Sequence, residues 1–162
     1  MRALRAAAIG SVILPLLASA SLAGESVRWK TVIGIIQAGN VVAGVPGGGQ
    51  PWATLGGDAR VDLERGRISF DVKGLVLAGG NAIGTPGAVT QVKGTLVCGA
   101  SSVTPALVDT PLVALSPQGD AEFDGTEAPL PAQCATNDLA FLVRIAAGRW
   151  IANGSVRSTR GE

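Results

Sequence analysis

The stretch at 59–73 reads ARVDLERGRISFDVK, and it decides the fold class. Apolar and polar residues alternate in both halves of it, and this period of two is typical of half-buried antiparallel strands. Arg65-Gly66 separates the halves, and the glycine can adopt the positive φ of a tight turn. The stretch therefore predicts a β-hairpin with a two-residue turn. Its core-facing side chains are predicted to be Val61, Leu63, Ile68, Phe70 and Val72.

The rest of the chain follows the same pattern of short strands between Gly or Pro turns, and no helical apolar period extends along it. Further strands are predicted at 27–36, 90–98, 112–115, 121–126, 139–145 and 150–157. The Gly-rich stretch at 37–57 and the Pro-rich stretch at 105–131 are predicted to form loops and sheet edges, because proline cannot donate to a ladder. The expected fold is an all-β antiparallel β-sandwich, with a barrel as the second choice.

The beginning of the chain has the features of an export signal. Arg2 and Arg5 precede an apolar segment, and small residues up to Ala23 provide a cleavage site. We expect a signal peptide at 1–23, a single β-sandwich domain at 24–157 and a frayed tail at 158–162. An uncleaved N-terminal anchor is the alternative. The expected location of the domain is secreted or periplasmic.

Cys98 and Cys134 are the two cysteines of the chain. In an exported protein two cysteines most often pair, so a Cys98–Cys134 disulfide is predicted. A free thiol or an intermolecular bridge is the alternative. A redox role is not indicated, because the chain has no CxxC motif to lower a thiol pKa.

Composition excludes several function classes. The chain has no His and no Tyr, which removes Ser-His-Asp and Cys-His catalysis and His-ligated metals. Lys and Arg number 13 against 12 Asp and Glu, so there is no basic footprint for nucleic acid. After the signal no apolar segment is long enough to span a membrane. No cofactor and no catalytic residue is predicted.

An acidic stretch offers the best candidate for a metal. Asp120, Glu122 and Asp124 are spaced two residues apart, so on a strand they share one face. Calcium prefers several oxygen ligands together, but an EF-hand loop starting at Asp120 would need Glu at its twelfth position, where Pro131 stands. The simpler interpretation is the solvated face of a strand.

Trp52 is the candidate ligand contact. It follows Pro51 in the Gly-rich stretch, which makes it the Trp most open to partial exposure, whereas Trp150 opens a strand and is expected in the core. Packing in the core or as a loop anchor is the favoured interpretation for each Trp. A Trp on a loop could stack on a sugar, but the chain has few aromatic residues to line a cleft.

Residues 57–75 resemble the first hairpin of CHRD-type secreted β-sandwich modules, in which an alternating strand leads to a second strand ending in Gly-Leu. The wider pattern is similar to that of uncharacterised bacterial secreted proteins: it comprises KGTLVC at 93–98, LSPQGDAEF at 115–123 and WIANG at 150–154. The resemblance implies the fold class. The His-x-His segment of the CHRD family is missing here, so no metal role is implied.

These features predict a secreted, non-catalytic β-sandwich protein that acts as a binding or structural module. An extracellular protein or glycan is the expected class of partner. One alternative is a calcium- or carbohydrate-binding module that uses the 120–127 acids or Trp52. The other is a His-independent hydrolase that relies on two carboxylates, which would need to stand at a fixed separation in a cleft.

Overall fold

The structure is a computed structural model that describes residues 25–159. These residues form thirteen β-strands and one short 3-10 turn, with no α-helix among them. The predicted signal peptide and residues 160–162 lie outside the described range. The strands are β1 (Ser26–Gly34), β2 (Val41–Val42), β3 (Val45–Pro46), β4 (Trp52–Ala53), β5 (Gly56–Asp62), β6 (Arg67–Lys73), β7 (Val76–Leu77), β8 (Gln91–Cys98), β9 (Ala106–Asp109), β10 (Val113–Ala114), β11 (Ala121–Thr126), β12 (Leu139–Ile145) and β13 (Trp150–Thr159).

Nine of the strands form one antiparallel sheet. Its order is β10-β8-β12-β13-β1-β5-β6-β11, and β9 pairs with β8 beside β10. The strand pairs β2-β3 and β4-β7 stand apart from this sheet. The prediction of an all-β antiparallel fold is confirmed.

The sheet curls on itself into a half-barrel. The rings of Phe70 on β6 and Phe141 on β12 have centroids 5.9 Å apart, although three strands separate β6 from β12 in the sheet order. In a flat sheet four strand spacings would put them about 19 Å apart. The two halves of the sheet therefore face each other across the core, as the layers of a sandwich do.

The hairpin of β5 and β6 has the predicted faces. Val61 is paired with Ile68, and Ala59 with Phe70, and all four side chains are buried. The predicted two-residue turn is wrong, however: pairing stops at Asp62 and Arg67, so four residues form the loop. Asp62 causes this, since its carboxylate accepts the backbone N–H groups of Glu64 and Arg65 at 3.1 and 2.9 Å and organises a longer turn.

Other strand boundaries depart from the sequence prediction in three places. The Pro-rich stretch at 105–131 contains β9, which lies between Pro105 and Pro111 and pairs with β8. The Gly-rich stretch at 37–57 contains the short strands β2, β3 and β4. Ser158 and Thr159, predicted to be frayed, extend β13 and pair with β1.

The predicted disulfide is present between Cys98 and Cys134. Cys98 is the last residue of β8, and Cys134 lies in the 3-10 turn Ala132–Ala135. Both side chains are buried. The bridge attaches the loop that follows β11 to the end of the sheet.

Candidate functional site

The predicted acidic residues lie at the edge of the sheet, where β11 pairs only with β6. Glu122 and Asp124 belong to β11, and Asp120 immediately precedes it. The Oδ1 atom of Asp120 accepts the backbone N–H of Gly74 at 2.9 Å. Asp120 therefore has a structural role, which is to attach the start of β11 to the end of β6.

Asp124 is engaged by an arginine of the neighbouring strand. The Nε and Nη2 atoms of Arg67 donate to its two carboxylate oxygens at 2.7 and 2.6 Å. This bidentate hydrogen bonding lowers the pKa of Asp124. Both side chains are exposed, so the pair fixes the orientation of the carboxylate more than it stabilises the fold.

Three carboxylates form a row across β5, β6 and β11. The register places Asp58 opposite Asp71, and Asp71 opposite Glu122. Like charges directly opposite each other on a sheet repel. Arg28 pairs with Asp58 at 3.1 Å and Lys73 pairs with Asp71 at 3.1 Å, which reduces the repulsion. In the described part of the chain Glu122 forms no ion pair of its own. The pKa of Lys73 is raised mainly by its hydrogen bond to Asp71 and in smaller part by the charge of Glu122, so three carboxylates share two cations, Arg28 and Lys73.

The carboxylate row lines an open groove of about 540 Å3, the acidic groove. Its other lining residues are Ser69, Phe70, Phe123 and Asp124. Across residues 25–159 no group of three or more His, Cys, Asp or Glu residues is placed to hold a metal ion. Asp58, Asp71 and Asp124 are each paired with a basic side chain, whereas Glu122 forms no ion pair of its own among the described residues. Glu122 is therefore the carboxylate of the groove that is most open to a positively charged ligand.

The outer edge of β11 carries backbone groups that the sheet leaves unpaired. Glu127 donates its N–H to the Gly66 carbonyl at 2.8 Å, so the odd-numbered residues of β11 bond toward β6. The N–H and C=O groups of Glu122, Asp124 and Thr126 consequently point away from β6. Between residues 25 and 159 they have no backbone partner.

A second polar cluster lies at the other end of the sheet, on β8, β9 and β12. Asp109 accepts hydrogen bonds from Lys93, from the Thr95 hydroxyl at 2.7 Å and from Arg144 at 2.9 Å. Burial raises the pKa of Asp109, but the hydrogen bonds from Lys93 and Thr95 and the positive charge of Arg144 outweigh burial and lower it. The cluster is internally satisfied and holds the short strand β9 on the sheet.

Removal of this carboxylate is expected to cost stability. The free energy of unfolding of the Asp109→Ala variant should be about 2 kcal/mol lower than that of wild type, because the mostly buried charges of Lys93 and Arg144 lose their partner. The control is Asp124→Ala, whose exposed, solvent-screened ion pair should contribute much less to the unfolding free energy. Equal losses in urea melts at pH 7 would contradict this role of Asp109.

The same variant gives an expected pH dependence. The folded pKa of Asp109 is lowered from the ordinary 3.8, so the ionised form stabilises the fold above that value. As pH falls below about 4 through the folded pKa, wild type should lose this contribution. The difference in unfolding free energy between wild type and Asp109→Ala should therefore be constant near neutral pH and shrink in acid. A difference that grows below pH 4 would contradict this.

Trp52, the candidate ligand contact, is packed inside the protein. It is 6% exposed, which agrees with the favoured interpretation of packing and not with partial exposure. Its backbone N–H donates to the Ile35 carbonyl at 2.8 Å, and a side chain at Gly34 would collide with its carbonyl oxygen. The indole lines a pocket of about 200 Å3 together with Leu77 and the exposed Arg149. Trp150 is buried, as expected.

Sequence reasoning found two members of the acidic groove and missed the others. Glu122 and Asp124 follow from the period of two along β11. The alternation along 59–73 places Asp71 on the polar face of the hairpin, but Asp58 precedes that stretch and no sequence signal indicated it. Nothing local to 121–126 shows that β11 pairs with β6, so the row could not be assembled from the sequence.

No family model, curated protein or solved structure matches this chain. Within residues 25–159 no helix is long and apolar enough to cross a membrane. The geometry of the described residues is therefore the basis for assigning a function.

Proposed function

We propose that this protein is an extracytoplasmic, non-catalytic binding module, and that its acidic groove on β5, β6 and β11 takes a cationic polypeptide. The disulfide supports export, since such bonds persist in oxidising compartments. The signal-like features of residues 1–23 and the resemblance of residues 57–75 to CHRD-type modules support it as well. The protein is expected in the periplasm or in the medium.

The observation that carries the proposal is the register of the three strands. Asp58, Asp71 and Glu122 form one row only because β5, β6 and β11 are paired as they are. Their mutual repulsion costs stability, and in the described chain the three carboxylates share two cations, Arg28 and Lys73. A bound Lys or Arg beside Glu122 would add a third positive charge.

The pKa shifts favour binding over acid catalysis. Among residues 25–159 three carboxyl groups have a pKa that departs from its ordinary value, and in all three the pKa is lowered: they are Asp62, Asp109 and Asp124. The backbone N–H of Arg65 is the main cause at Asp62, and the Arg67 guanidinium is the main cause at Asp124. The general acid of a carboxylate hydrolase needs a raised pKa instead. Of these three carboxylates Asp124 lines the groove, and its hydrogen bonds from Arg67 keep it in the charged form.

A labelled peptide of about seven residues that alternates Lys and Val tests the proposal by fluorescence anisotropy. The peptide should bind, and the affinity should fall with added salt, because exposed charges are screened. Glu122→Gln should weaken binding about two- to fivefold, the effect of one surface ion pair.

Two controls accompany this measurement. Glu64→Gln removes an exposed acid of the β5-β6 loop, outside the groove, and should leave the affinity unchanged. A peptide that alternates Glu and Val should not bind. Equal binding of the two peptides, or equal weakening by the two variants, would contradict the assignment of the acidic groove as the binding site.

A further inference from the structure

We propose that the partner binds as an extended strand that adds to the outer edge of β11, with basic residues alternating with apolar ones. This inference rests on the proposed function, since it specifies how the cationic polypeptide is held. It adds backbone pairing to the charge recognition described above. Three features of the half-barrel support it.

The first feature is the opening between the two ends of the sheet. The sheet ends at β11 on one side and at β9 and β10 on the other. The turn at 116–120 brings β10 and β11 together, and the Ser116 N–H donates to the Asp120 carbonyl at 2.9 Å. Beyond Asp120 the edge of β11 is not hydrogen-bonded to β9 or β10. One side of β11 is thus available along the rest of its length.

The second feature is the decrease in burial toward this opening. Phe70 and Leu96 are buried on the strands next to the opening. Phe123 and Val108, their direct cross-strand partners on β11 and β9, are only partly buried. The core is therefore incompletely covered at the opening. Apolar side chains of an added strand would cover Phe123 on its inner side.

The third feature is the alternation that β11 imposes on a partner. The N–H and C=O groups of Glu122, Asp124 and Thr126 point outward and would pair with an added strand. Successive residues of that strand would face opposite sides of the sheet. The side chains on the outer side would lie next to Glu122, in line with the carboxylate row, where Lys or Arg is favoured. Those on the inner side would lie next to Phe123, where apolar side chains are favoured.

Charge also selects against a second copy of this chain on the same edge. Two β11 strands paired with each other would bring their Glu122 and Asp124 carboxylates together, and like charges on neighbouring strands are destabilising. The other end of the sheet, formed by β9 and β10, contributes Asp109 and no Lys or Arg. Neither edge complements β11, so the occupant that fits is a basic strand from a different polypeptide.

The test compares the Lys-Val peptide with the same peptide methylated on every backbone nitrogen, so that no donor remains for pairing in either strand direction. Methylation keeps every charge and removes the donors that a strand edge requires. We expect the methylated peptide to bind about tenfold more weakly or worse, because two or three hydrogen bonds are lost. Binding of the unmodified peptide should also slow the hydrogen exchange of the Glu122, Asp124 and Thr126 amides.

A variant of the protein tests the same contact from the other side. Thr126→Pro removes one outward N–H that has no backbone partner in the described chain, and proline is tolerated on edge strands. It should weaken binding of the unmodified peptide several-fold, whereas Thr126→Ala should not. If Thr126→Pro fails to fold, as judged by circular dichroism, the methylated peptide still decides the matter.

The outcomes separate the two proposals. Equal binding of the methylated and unmodified peptides, with salt dependence retained, would overturn strand addition and leave the acidic groove as a charge-recognition site. No binding of either peptide would overturn both proposals. A dimer of the free protein that Thr126→Pro dissociates, measured by sedimentation, would overturn strand addition by a different polypeptide, because a second copy would then cover the edge.

Discussion

Replacement of Phe70 by alanine is expected to lower the free energy of unfolding by about 3–5 kcal/mol. Phe70 is 3% exposed and lies where the two halves of the sheet meet. Its ring centroid is 5.9 Å from that of Phe141 on β12 and 6.2 Å from that of Phe123 on β11. The truncation removes buried area and two aromatic contacts and leaves a cavity that the curled sheet cannot close without moving a strand. Urea denaturation at pH 7 measures the loss.

Asp71→Ala is the matched control for this variant, because the two residues are neighbours on β6 that face opposite sides of the sheet. Asp71 is partly exposed and pairs with Lys73 at 3.1 Å. Its removal also relieves the repulsion within the carboxylate row. We expect a change below about 0.5 kcal/mol. Similar losses for the two variants would show that the faces of β6 are assigned wrongly.

The faces of β6 could be predicted because the information is local. A period of two along 59–73 fixes which side chains share a face, and burying the charged face would cost far more than burying the apolar one. The same local argument gave the bounds of β11 and β12, since alternation or a continuous apolar run begins and ends at turn residues. Such signals predict strands well, whatever the order of the strands in the sheet.

Packing between distant strands could not be predicted in this way. Gly94 illustrates the limit, because it interrupts β8 without any turn and looks like a weakness in the strand. In the structure a Cβ at this position would lie 2.8 Å from both Phe141 and Phe70. The missing side chain makes room for the two rings, a requirement that appears only once β6, β8 and β12 surround one core.

The acidic groove shows the same division. Alternation predicted that Glu122 and Asp124 share a face with Asp120, but not what their oxygens contact. Arg67 donates to Asp124, and the Gly74 N–H donates to Asp120. Both donors are more than forty residues away along the chain. Glu122 differs from its neighbours through strand register alone, which no local pattern in 120–127 encodes.

Removal of the disulfide is the second change with a large expected effect. Cys98 and Cys134 are 36 positions apart, and closing a loop of that length restricts the unfolded chain by about 3–4 kcal/mol in the chain-entropy model. The double variant Cys98→Ala/Cys134→Ala should therefore lose about 2–4 kcal/mol of unfolding free energy. Alanine is preferred to serine here, because both positions are buried and a hydroxyl would need a partner.

The denaturant dependence shows where this loss arises. If the bridge acts mainly on the unfolded chain, the double variant should expose more surface on unfolding, so its m-value in urea should rise while the folded circular dichroism spectrum stays unchanged. Wild type unfolded in the presence of reductant should follow the same curve as the variant. If stability falls at a constant m-value, the bridge acts instead through the native contacts of the Ala132–Ala135 turn with β8, and amide exchange should then accelerate in that turn alone. A loss below about 0.5 kcal/mol would contradict both accounts, because it would mean that neither the loop-closure entropy nor the attachment of the turn to β8 contributes to the stability of the fold.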